Sequence, residues 1–437
     1  TETLSVLIDR APTHTYEETV QIFREEFGLD PTEVFSSFDP EPIASASIAQ
    51  VHVARLKDTN EKVAVKIQHP NLHRIFQADL RAMEWIMFAY KLKNKFSLDW
   101  LLPEFERVLL SELDFMNEAK NCERLRDMFS DTNSITVPEL HWDKVTKRVL
   151  VMEFIEGCKV NDREQMAKMG ISPQLVAQLL LNSFSRQTFE YGFIHSDLHP
   201  GNLFVRYNEQ LRTPQLVYLD HGCYEELSEK TRLDYASLWK SIVFRDHEDM
   251  RHFTQELGID SEFYILFAMF LSAANVLDSN RNAMLDNRRQ KSMSKAEWKH
   301  VVKRLREKYL VNGRSTLDDI IEDMIDQNST NRSLVLLLRA NAQLRNLIFE
   351  MDASVNRFGT MAQYCIRAVS SKMRLHNKIV ENGGHTIVIP VRREKKRTML
   401  ELLSMHSELL QLKFRLLMLD MLVWLSQKLS LTAWFNL

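Results

Sequence analysis

The chain has 437 residues, of which 45% are hydrophobic and 26% charged, and its formal net charge is −3 at pH 7. A chain of this length exceeds a single hydrophobic core, so we expect two lobes or domains. The small negative charge gives no electrostatic reason to expect a nucleic-acid partner. The four cysteines are far apart in the sequence, which argues against a structural zinc site or a disulfide framework.

No targeting segment is visible in the chain, which begins at Thr1. No apolar run reaches the ~18 to 20 residues that a membrane-spanning helix needs. The nearest candidate, Phe414 to Leu425, is interrupted by Arg415 and Asp420. With only 11 Gly and 11 Pro, the chain is expected to be mostly helical.

The first candidate for a functional residue is a lysine on a predicted strand. A capping box at Thr15–Glu18 predicts a helix that ends at Gly28. The runs Gln50–Leu56 and Lys62–Gln68 predict a hairpin, because a short polar linker joins them. The second run holds a Val-Ala-Val-Lys sequence ending at Lys66, close to the kinase signature whose lysine pairs the α- and β-phosphates of ATP. The alternative is an edge-strand lysine that points to water.

Small residues precede this hairpin, and four of them are candidates for a phosphate-binding loop: Ala44, Ser45, Ala46 and Ser47. Alanine and serine let backbone N–H groups approach a phosphate closely, but they exclude most of the positive φ angles that glycine allows. The alternative is a plain turn that leads into the strand.

Two helices are predicted next, at Leu72–Phe96 and Leu101–Phe129. The second carries the carboxylates Glu112, Asp114 and Glu118 where a kinase needs a glutamate to hold its strand lysine. The alternative is a charged, solvated helix face.

An interlobe hinge is predicted after two further strands, Ile135–Trp142 and Lys147–Phe154. The second strand leads into an acidic link that ends in a glycine. We expect backbone groups of Glu153 and Ile155 to bind the adenine edge, with Met152 behind it.

The catalytic loop is predicted between a helix that ends at Gly192 and a short apolar strand. Asp197 and Asn202 are five residues apart, the spacing of the kinase loop H-R-D-x-x-x-x-N. In that chemistry a carboxylate accepts or orients the proton of the attacking hydroxyl, and an amide oxygen helps hold Mg²⁺. A later predicted strand is followed directly by Asp220 and a glycine turn, which is also the position of the metal-binding aspartate in kinases. Asp197 taken alone could belong to an ordinary turn. The order and spacing of Asn202 and Asp220 favour the catalytic interpretation.

The remainder is predicted to be almost entirely helical after Gly222. Phe263–Leu271 is its most apolar stretch, with lobe core as one interpretation and a hydrophobic entrance for a lipid or quinone-like molecule as the other. A basic cluster at Arg392–Arg397 follows a short β-like run and precedes a low-charge amphipathic stretch, Met399–Leu429. That pair suggests peripheral membrane contact through Leu402, Leu409, Leu412, Leu416, Leu419 and Trp424. The alternative is a helix packed on the lobe.

Four motifs in this order resemble the UbiB/AarF atypical kinase family: residues 44–52, 63–70, 112–118 and 195–202. The resemblance covers roughly Glu18 to Trp424 and is closest to a mitochondrial member. It implies an α+β, bilobal protein-kinase-like fold, with a small β-rich N-lobe and a large helical C-lobe with extra C-terminal helices. We expect an N-lobe at 1–154, a C-lobe at 155–381, and a basic linker with an amphipathic helical region at 382–437.

The resemblance also assigns roles. Ala44–Ala49 matches the family's alanine-rich replacement for the glycine loop, and Glu112 and Asp114 match its Glu-x-Asp motif. Lys66 matches the phosphate lysine and Asp197 the catalytic-loop carboxylate, while Glu118 is our choice for the Lys66 partner. Asn202 and Asp220 match the metal ligands. The implied cofactors are ATP with Mg²⁺ or Mn²⁺, and the implied setting is mitochondrial lipid or quinone homeostasis.

Two departures from the family pattern stand out. The upstream Lys-x-Gly-Gln motif is absent from this chain, and His221 stands where most kinases have phenylalanine. The histidine puts in question whether the segment Asp220–Gly222 switches between the in and out positions that it takes in most kinases.

The predicted function is an ATP-dependent phosphotransferase or ATPase that acts on a small or lipid-like molecule. A protein Ser/Thr kinase is one alternative, but the chain lacks an Ala-Pro-Glu motif after Gly222. His199 also stands two residues past Asp197, where many such kinases place a lysine. A nucleotide-binding pseudokinase scaffold is the other alternative, although the lysine, the catalytic-loop carboxylate and both metal ligands are retained.

Overall fold

The computed structural model describes residues 13–93, 106, 113–209, 212–259, 261, 264–272, 330–369, 373–382, 385–394, 398–400, 402–411 and 414. The chain divides into two compact units, each of which is described separately. Unit 1 comprises Thr1–Ile171, His199–Tyr224 and Leu375–Val391. Unit 2 comprises Ser172–Leu198, Glu225–Arg374 and Arg392–Leu437. The predicted N-lobe therefore lies in unit 1 together with segments from later in the chain.

Unit 1 begins with a helix that packs on an antiparallel sheet. The capping box at Thr15 and Glu18 is present, and Gly28 ends the helix with a φ of 70°. The helices are α1 Tyr16–Phe27 and α2 Pro31–Val34, and the strands are β1 Phe35–Phe38, β2 Ala44–Ser45, β3 Ala49–Leu56, β4 Lys62–Gln68 and β6 Val149–Glu153. The strand order is β1-β3-β4-β6, with β2 also paired to β3, so the predicted hairpin is confirmed. Phe23, Phe35 and Val65 belong to the core between helix and sheet.

Two longer helices lie between β4 and β6 in the chain, α3 Leu72–Lys93 and α4 Phe115–Met128. The prediction of one helix over Leu101–Phe129 was wrong at its centre, because a turn at Leu113 precedes α4. Asp114 is the N-cap of α4, and its side chain accepts a hydrogen bond from the Met116 N–H at 3.0 Å. Such a cap satisfies a backbone donor that the helix itself cannot.

A second sheet in unit 1 has the strand order β5-β10-β9-β7. Its strands are β5 Ile135–Thr136, β7 Cys158–Lys159, β9 Leu203–Asn208 and β10 Thr213–Tyr218. The predicted strand Ile135–Trp142 is wrong beyond Thr136, apart from an isolated bridge between Leu140 and Met152. Gly157 is required here, because a Cβ at that position would lie 2.5 Å from the Val205 carbonyl oxygen.

Unit 2 is built from helices around an apolar core. They are α5 Pro173–Ser185, α6 Glu229–Phe244, α7 His247–Glu256, α8 Tyr264–Ser272, α9 Thr330–Glu350 and α10 Arg357–Val369. A π-helix, Arg186–Tyr191, continues α5 and ends at Gly192, which has a φ of 61°. Strands β8 Phe193–His195 and β11 Tyr224–Glu226 pair with each other. Phe267 in α8 is fully buried, which supports the core interpretation of the apolar stretch.

The C-terminal part of the chain departs from the prediction. Strands β12 Met373–Asn382 and β13 His385–Glu394 form a hairpin, so residues 373–381 are not helical and Arg392 and Arg393 belong to a strand. Residues 402–411 are helical, and Leu402, Met405 and Leu409 pack on the core of unit 2. At Leu402 and Leu409 the alternative of a packed helix is confirmed. Lys395–Arg397, Leu412, Leu416, Leu419 and Trp424 lie outside the described residues.

Candidate active site

Three charged side chains of unit 1, called here the Lys66 cluster, come together: Lys66, Glu118 and Asp220. Lys66 Nζ donates to both carboxylate oxygens of Glu118, at 2.7 and 2.9 Å, and to Asp220 Oδ2 at 2.8 Å. The Lys66 and Glu118 side chains are only 8% and 3% exposed. The predicted ion pair between Lys66 and Glu118 is therefore present, whereas Glu112 lies outside the described residues.

Local structure explains this arrangement. Lys66 lies on a central strand, opposite Val51 of β3 and Leu150 of β6, so its backbone is fixed on both sides. Glu118 lies in the first turn of α4, whose start is fixed by the Asp114 cap. The ammonium group also lies 5.1 Å from the centre of the Phe115 ring, within the range of a cation–π contact. The strand lysine is thus held inside the protein and does not point to water.

Burial and the neighbouring charges shift the pKa values of this cluster in opposite directions. Burial alone would lower the pKa of Lys66, but the carboxylates of Asp220 and Glu118 outweigh it and raise that pKa overall. Burial raises the pKa of Glu118, and the charge of Lys66 opposes that increase. An unpaired charge would be strongly disfavoured at this depth, so the ions depend on one another.

Asn202 and Asp220 lie at the same end of one strand pair in unit 1. Strands β9 and β10 are antiparallel, with Leu203 opposite Tyr218. Just beyond this pair, the Leu219 N–H donates to the Asn202 carbonyl at 2.9 Å. Asp220 Oδ1 in turn accepts a hydrogen bond from the Gly222 N–H at 3.0 Å. The two predicted metal ligands are therefore neighbours.

The chemistry of this donor set fits a hard divalent cation. Mg²⁺ prefers oxygen ligands and is often held by one or two protein side chains together with phosphate oxygens and water. Asn202 and Asp220 provide an amide and a carboxylate oxygen. Within the part of the chain that the structure describes, no cluster of three or more His, Cys, Asp or Glu side chains could hold a metal alone. A cation held by Asn202 and Asp220 would take its other ligands from water and phosphate oxygens.

His221 is held by several groups of unit 1, among them the Glu118 carboxylate, which accepts from the His221 N–H at 3.4 Å. Its Nε2–H donates to the Tyr218 carbonyl at 3.1 Å, and its Nδ1 accepts from the Tyr224 hydroxyl at 2.9 Å. The Asn121 amide donates to the His221 carbonyl at 3.0 Å. The side chain is buried. The question about in/out switching thus has a physical basis: moving His221 would break both ring hydrogen bonds.

The alanine-rich loop forms a tight turn between β2 and β3. The Ala46 N–H donates to the Ala49 carbonyl at 2.8 Å, and the described residues with positive φ include none of this loop. Ala44, Ala46 and Ser47 are exposed, whereas Ser45 is buried. The loop is an ordinary turn in conformation, as expected for residues with a Cβ.

Histidines support this loop from behind, which the sequence analysis did not predict. His69 Nε2–H donates to the Ala46 carbonyl at 2.9 Å, so its Nδ1 is left as an acceptor for the His14 Nδ1–H at 2.8 Å. The remaining His14 nitrogen then accepts from the Thr19 hydroxyl at 3.0 Å. Burial, followed by the influence of His69, lowers the pKa of His14 to about 4. A pair of histidines in mutual contact therefore supports the loop carbonyl.

The same chain of hydrogen bonds continues along β3, where Gln50 and His52 are two residues apart and lie on one face of the sheet. The Gln50 amide donates to the Thr19 hydroxyl at 3.3 Å and to His52 Nε2 at 2.9 Å. His52 Nδ1–H then donates to the Asp39 carbonyl at 2.8 Å. Every tautomer in this chain follows from the two carbonyl acceptors at its ends, which accept and cannot donate.

The predicted hinge is anchored by the side chain of Glu153. That carboxylate pairs with Arg206 of β9 and accepts from the Glu139 N–H at 3.2 Å. The Glu153 N–H donates to the Glu139 carbonyl at 2.8 Å. Because the Glu153 N–H is used in this bond, a contact of the Glu153 backbone with adenine would use the Glu153 carbonyl. Ile155 and Met152 are buried, and the adenine roles of Glu153 and Ile155 stay predictions.

Asp197 belongs to unit 2, where it meets two residues of α9 that the sequence analysis missed. Its Oδ1 accepts from Arg339 Nη2 at 3.0 Å and from Gln343 Nε2 at 3.1 Å. These three residues are called the Asp197 cluster. The Asp197 N–H donates to His195 Nδ1 at 3.2 Å. Arg339 is 142 residues from Asp197 along the chain, so no local spacing pattern could have revealed it.

A strand lysine paired to a helix glutamate, an Asp-x-Gly carboxylate and an Asp…Asn loop are the parts of a protein-kinase-like protein. The model of the ABC1 atypical kinase-like domain matches residues 6–254. An AarF domain-containing protein kinase 1 from Xenopus tropicalis is 37% identical over 373 residues, covering 85% of this chain and 68% of the relative. A probable serine/threonine-protein kinase, abkB, from Dictyostelium discoideum is 33% identical over 372 residues, covering 84% and 51%.

Among solved structures, the Rv3197–erythromycin complex from Mycobacterium tuberculosis resembles this chain with a TM-score of 0.53 and 20% identity, covering 82% of this chain and 84% of that one. At that identity the likeness supports the fold alone. The predicted α+β, protein-kinase-like fold is confirmed. The chain belongs to the ABC1/AarF atypical kinase family.

Proposed function

We propose that this chain binds Mg-ATP, or Mn-ATP, and acts as an ATP-dependent phosphotransferase or ATPase. The observation that carries the proposal is the Lys66 cluster, in which one buried lysine contacts both the α4 glutamate and Asp220. A surface lysine would need no such support. The cluster keeps an ammonium group in one position, which is what a phosphate-binding lysine requires.

The other predicted residues take complementary roles in this proposal. The backbone of Ala44–Ser47 contacts the phosphates, and backbone groups of Glu153 and Ile155 bind adenine. Asn202 and Asp220 would hold the metal ion, which would neutralise negative charge on the phosphates. Asp197 accepts or orients the proton of the attacking hydroxyl. Glu118 keeps Lys66 in place without touching the nucleotide.

The substrate and setting belong to the same proposal. We place the protein in the mitochondrion and assign it a small or lipid-like substrate, such as a quinone-like molecule, on the strength of the family resemblance. After Gly222 the chain enters β11 and then α6, whose first residue is Glu229, without an Ala-Pro-Glu motif. Little chain is therefore available there for a peptide-positioning loop of the protein-kinase type.

Protein phosphorylation is the second candidate, because the Dictyostelium relative is named a probable serine/threonine-protein kinase. Against it, His199 replaces the lysine common in that class, and its Nδ1 accepts a hydrogen bond from the Gly201 N–H at 3.0 Å. A pseudokinase scaffold is less well supported, since Lys66, Asp197 and both metal ligands are retained.

Peripheral membrane contact is part of the proposal as well. None of the described helices is long and apolar enough to cross a membrane. The helical residues around 402–411 nevertheless expose Met399, Leu403, Leu410 and Phe414, while Leu402 and Leu409 pack inward. Exposed apolar side chains on a surface helix are the feature that interfacial helices use. Flotation with anionic liposomes should weaken in a Leu403→Glu, Leu410→Glu variant, and unchanged flotation would reject this contact.

The test of the enzymatic proposal is ATP turnover with and without mitochondrial-type lipids, in wild type and Asp197→Asn. We expect Mg²⁺-dependent turnover that lipids stimulate, and a loss of about 100-fold or more in the variant, the range for a lost general base. Asp143→Asn, which changes an exposed carboxylate paired with Lys144, is the control and should be active. Stimulation by a protein substrate and not by lipids would favour the second candidate.

A further inference from the structure

Two carbonyl groups of unit 1, those of Ala46 and Asp39, lie at the ends of one chain of side-chain hydrogen bonds. His69 Nε2–H donates to the first carbonyl and His52 Nδ1–H donates to the second. Gln50, in the middle of the chain, is fully buried. The chain therefore holds both ends of the backbone segment that leads into the alanine-rich loop.

The link between His14 and His69 joins two Nδ1 atoms that are 2.8 Å apart. At that distance the two nitrogens share one hydrogen, because two N–H groups or two lone pairs that faced each other would repel. When both rings are neutral, this hydrogen belongs to His14, because His69 uses its own N–H on the Ala46 carbonyl. The Thr19 hydroxyl then donates to His14 Nε2 at 3.0 Å.

The same atoms can hold one more proton without the loss of a link. The Thr19 hydroxyl has a second acceptor, the Thr15 carbonyl at 3.3 Å. If the hydroxyl turns to that carbonyl, its oxygen accepts from both His14 Nε2–H and the Gln50 amide. His14 Nδ1 then accepts from His69 Nδ1–H, so that His69 carries a hydrogen on each ring nitrogen and is an imidazolium. Rotation of one hydroxyl is enough to accommodate the added proton.

The positive charge of this second arrangement belongs on His69. Burial, followed by the influence of His69, lowers the pKa of His14 to about 4, so His14 stays neutral near pH 7. The other titratable groups that influence His14 are Glu18 of α1 and His52 of β3. Burial also lowers the pKa of His52, which therefore adds no competing positive charge. His69 itself is only half-buried, so its charge keeps some contact with water.

A charge on His69 reaches the loop through one peptide unit. The Ala46 carbonyl, which accepts from His69, belongs to the same peptide as the Ser47 N–H. Hydrogen bonds from charged donors are stronger than neutral ones, and a bond to a carbonyl polarises the N–H of its peptide. In the proposed function this N–H is one of the loop groups that contact phosphate. An imidazolium at His69 would make it a better donor.

We propose that His69 takes up a proton when nucleotide phosphates bind at the alanine-rich loop, so that ATP binding is coupled to proton uptake. His69 is then a positioning residue, because it acts through the Ala46–Ser47 peptide and does not touch the nucleotide. Negative charge on one side of this peptide favours positive charge on the other. The inference rests on the proposed function, because it assumes that the loop binds phosphates. The proton comes from solvent, and no bond of the nucleotide is made or broken.

The experiment is calorimetry of Mg-ATP binding at about pH 7.5 in Hepes and in Tris, whose heats of ionisation differ, so that the heats measured give the number of protons taken up. In His69→Gln an amide can still donate to the Ala46 carbonyl, but it cannot be charged. We expect wild type to take up more protons than His69→Gln, by up to about one proton. Because both proteins bind the same nucleotide, the difference excludes protons that ATP itself exchanges.

A second pair of variants tests the hydroxyl and leaves His69 in place. Thr19→Val removes the group that has to rotate and should lower proton uptake, whereas Thr19→Ser keeps the hydroxyl and should retain it. From about pH 6 to pH 8, the ATP affinity of wild type should also fall more steeply than that of His69→Gln, by up to about tenfold more per pH unit.

The matched control is His252→Gln, because His252 is an exposed histidine of α7, and its proton uptake should equal that of wild type. Equal uptake in wild type and His69→Gln would overturn the inference while the proposed function stands. If His69→Gln binds ATP too weakly to measure, equal uptake in Thr19→Val and Thr19→Ser would overturn it instead. If wild type binds no ATP, the proposed function is wrong and this inference falls with it.

Discussion

The Lys66 cluster and the Asp197 cluster differ in how much water reaches their charges. Lys66 and Glu118 are almost fully buried, whereas Arg339 is mostly exposed and Asp197 partly so. Breaking a buried ion pair leaves an uncompensated charge and is costly, whereas losing an exposed pair costs little. We therefore expect substitutions in the Lys66 cluster to change both stability and function. Substitutions in the Asp197 cluster should change function with little effect on stability.

The largest loss of stability is expected in the apolar core of unit 2, away from either cluster. Phe267→Ser should lower the free energy of unfolding by about 4 kcal/mol, because it leaves a cavity and buries a hydroxyl. Denaturant unfolding measures this, with the exposed Phe349→Ser as control. A stable Phe267→Ser variant without lipid-stimulated turnover would instead revive the entrance interpretation of this stretch.

Glu118→Ala tests the buried side of the comparison. The variant leaves Lys66 with Asp220 alone, and we expect a loss of about 3 kcal/mol, the lower end for breaking a buried ion pair. Glu164→Ala, which removes an exposed pair with Lys168, should change little in the same unfolding experiment. If the two variants were equally stable, burial would not be what distinguishes the Lys66 cluster.

A smaller effect is expected from pH through His14, which supports the alanine-rich loop. Its folded pKa of about 4 lies below the ordinary 6.5, so the unfolded chain binds the proton first as the pH falls. This contribution is complete above about pH 6.5 and is lost towards pH 4. The titratable groups that influence His14 are His69, Glu18 and His52. Melting temperatures across this range should fall less steeply in His14→Gln, and identical slopes would contradict the assignment.

The smallest effect on stability is expected at the exposed pair. Arg339→Ala should change the free energy of unfolding by less than about 1 kcal/mol, because water already screens both charges. Measured beside Glu118→Ala, it gives the contrast between the clusters directly. A loss as large as that of Glu118→Ala would show that exposure to water is not what distinguishes the two clusters.

Spacing along the chain explains which parts of the site could be predicted. Lys66, Asn202 and Asp220 lie on or beside strands of the core sheets, so a few neighbouring residues define their positions. Arg339 and Gln343 reach Asp197 from a helix 142 and 146 residues away. Nothing in their local sequence distinguishes them from an ordinary polar helix face.

In the fold, too, the features that neighbouring residues define were the ones that could be predicted. Two strand-like runs joined by a short polar linker predicted the hairpin β3–β4, and a capping box predicted helix α1. The hairpin β12–β13 was missed in its first strand. Ile379 of that first strand is exposed, so this apolar residue does not mark a buried face. The break before α4 was missed because Asp114 was interpreted as part of a charged helix face, although it caps the helix.

The central claim is that Asp220 and Asn202 hold a metal ion against ATP beside Lys66. Calorimetric titration of ATP into wild type and Asp220→Asn, with Mg²⁺ and with a chelator, tests it most directly. We predict tight binding only for wild type with Mg²⁺, and a loss of about tenfold or more in Asp220→Asn, because the carboxylate is the charged ligand. Asp143→Asn should bind like wild type. Full Mg²⁺-dependent affinity in Asp220→Asn would contradict the account.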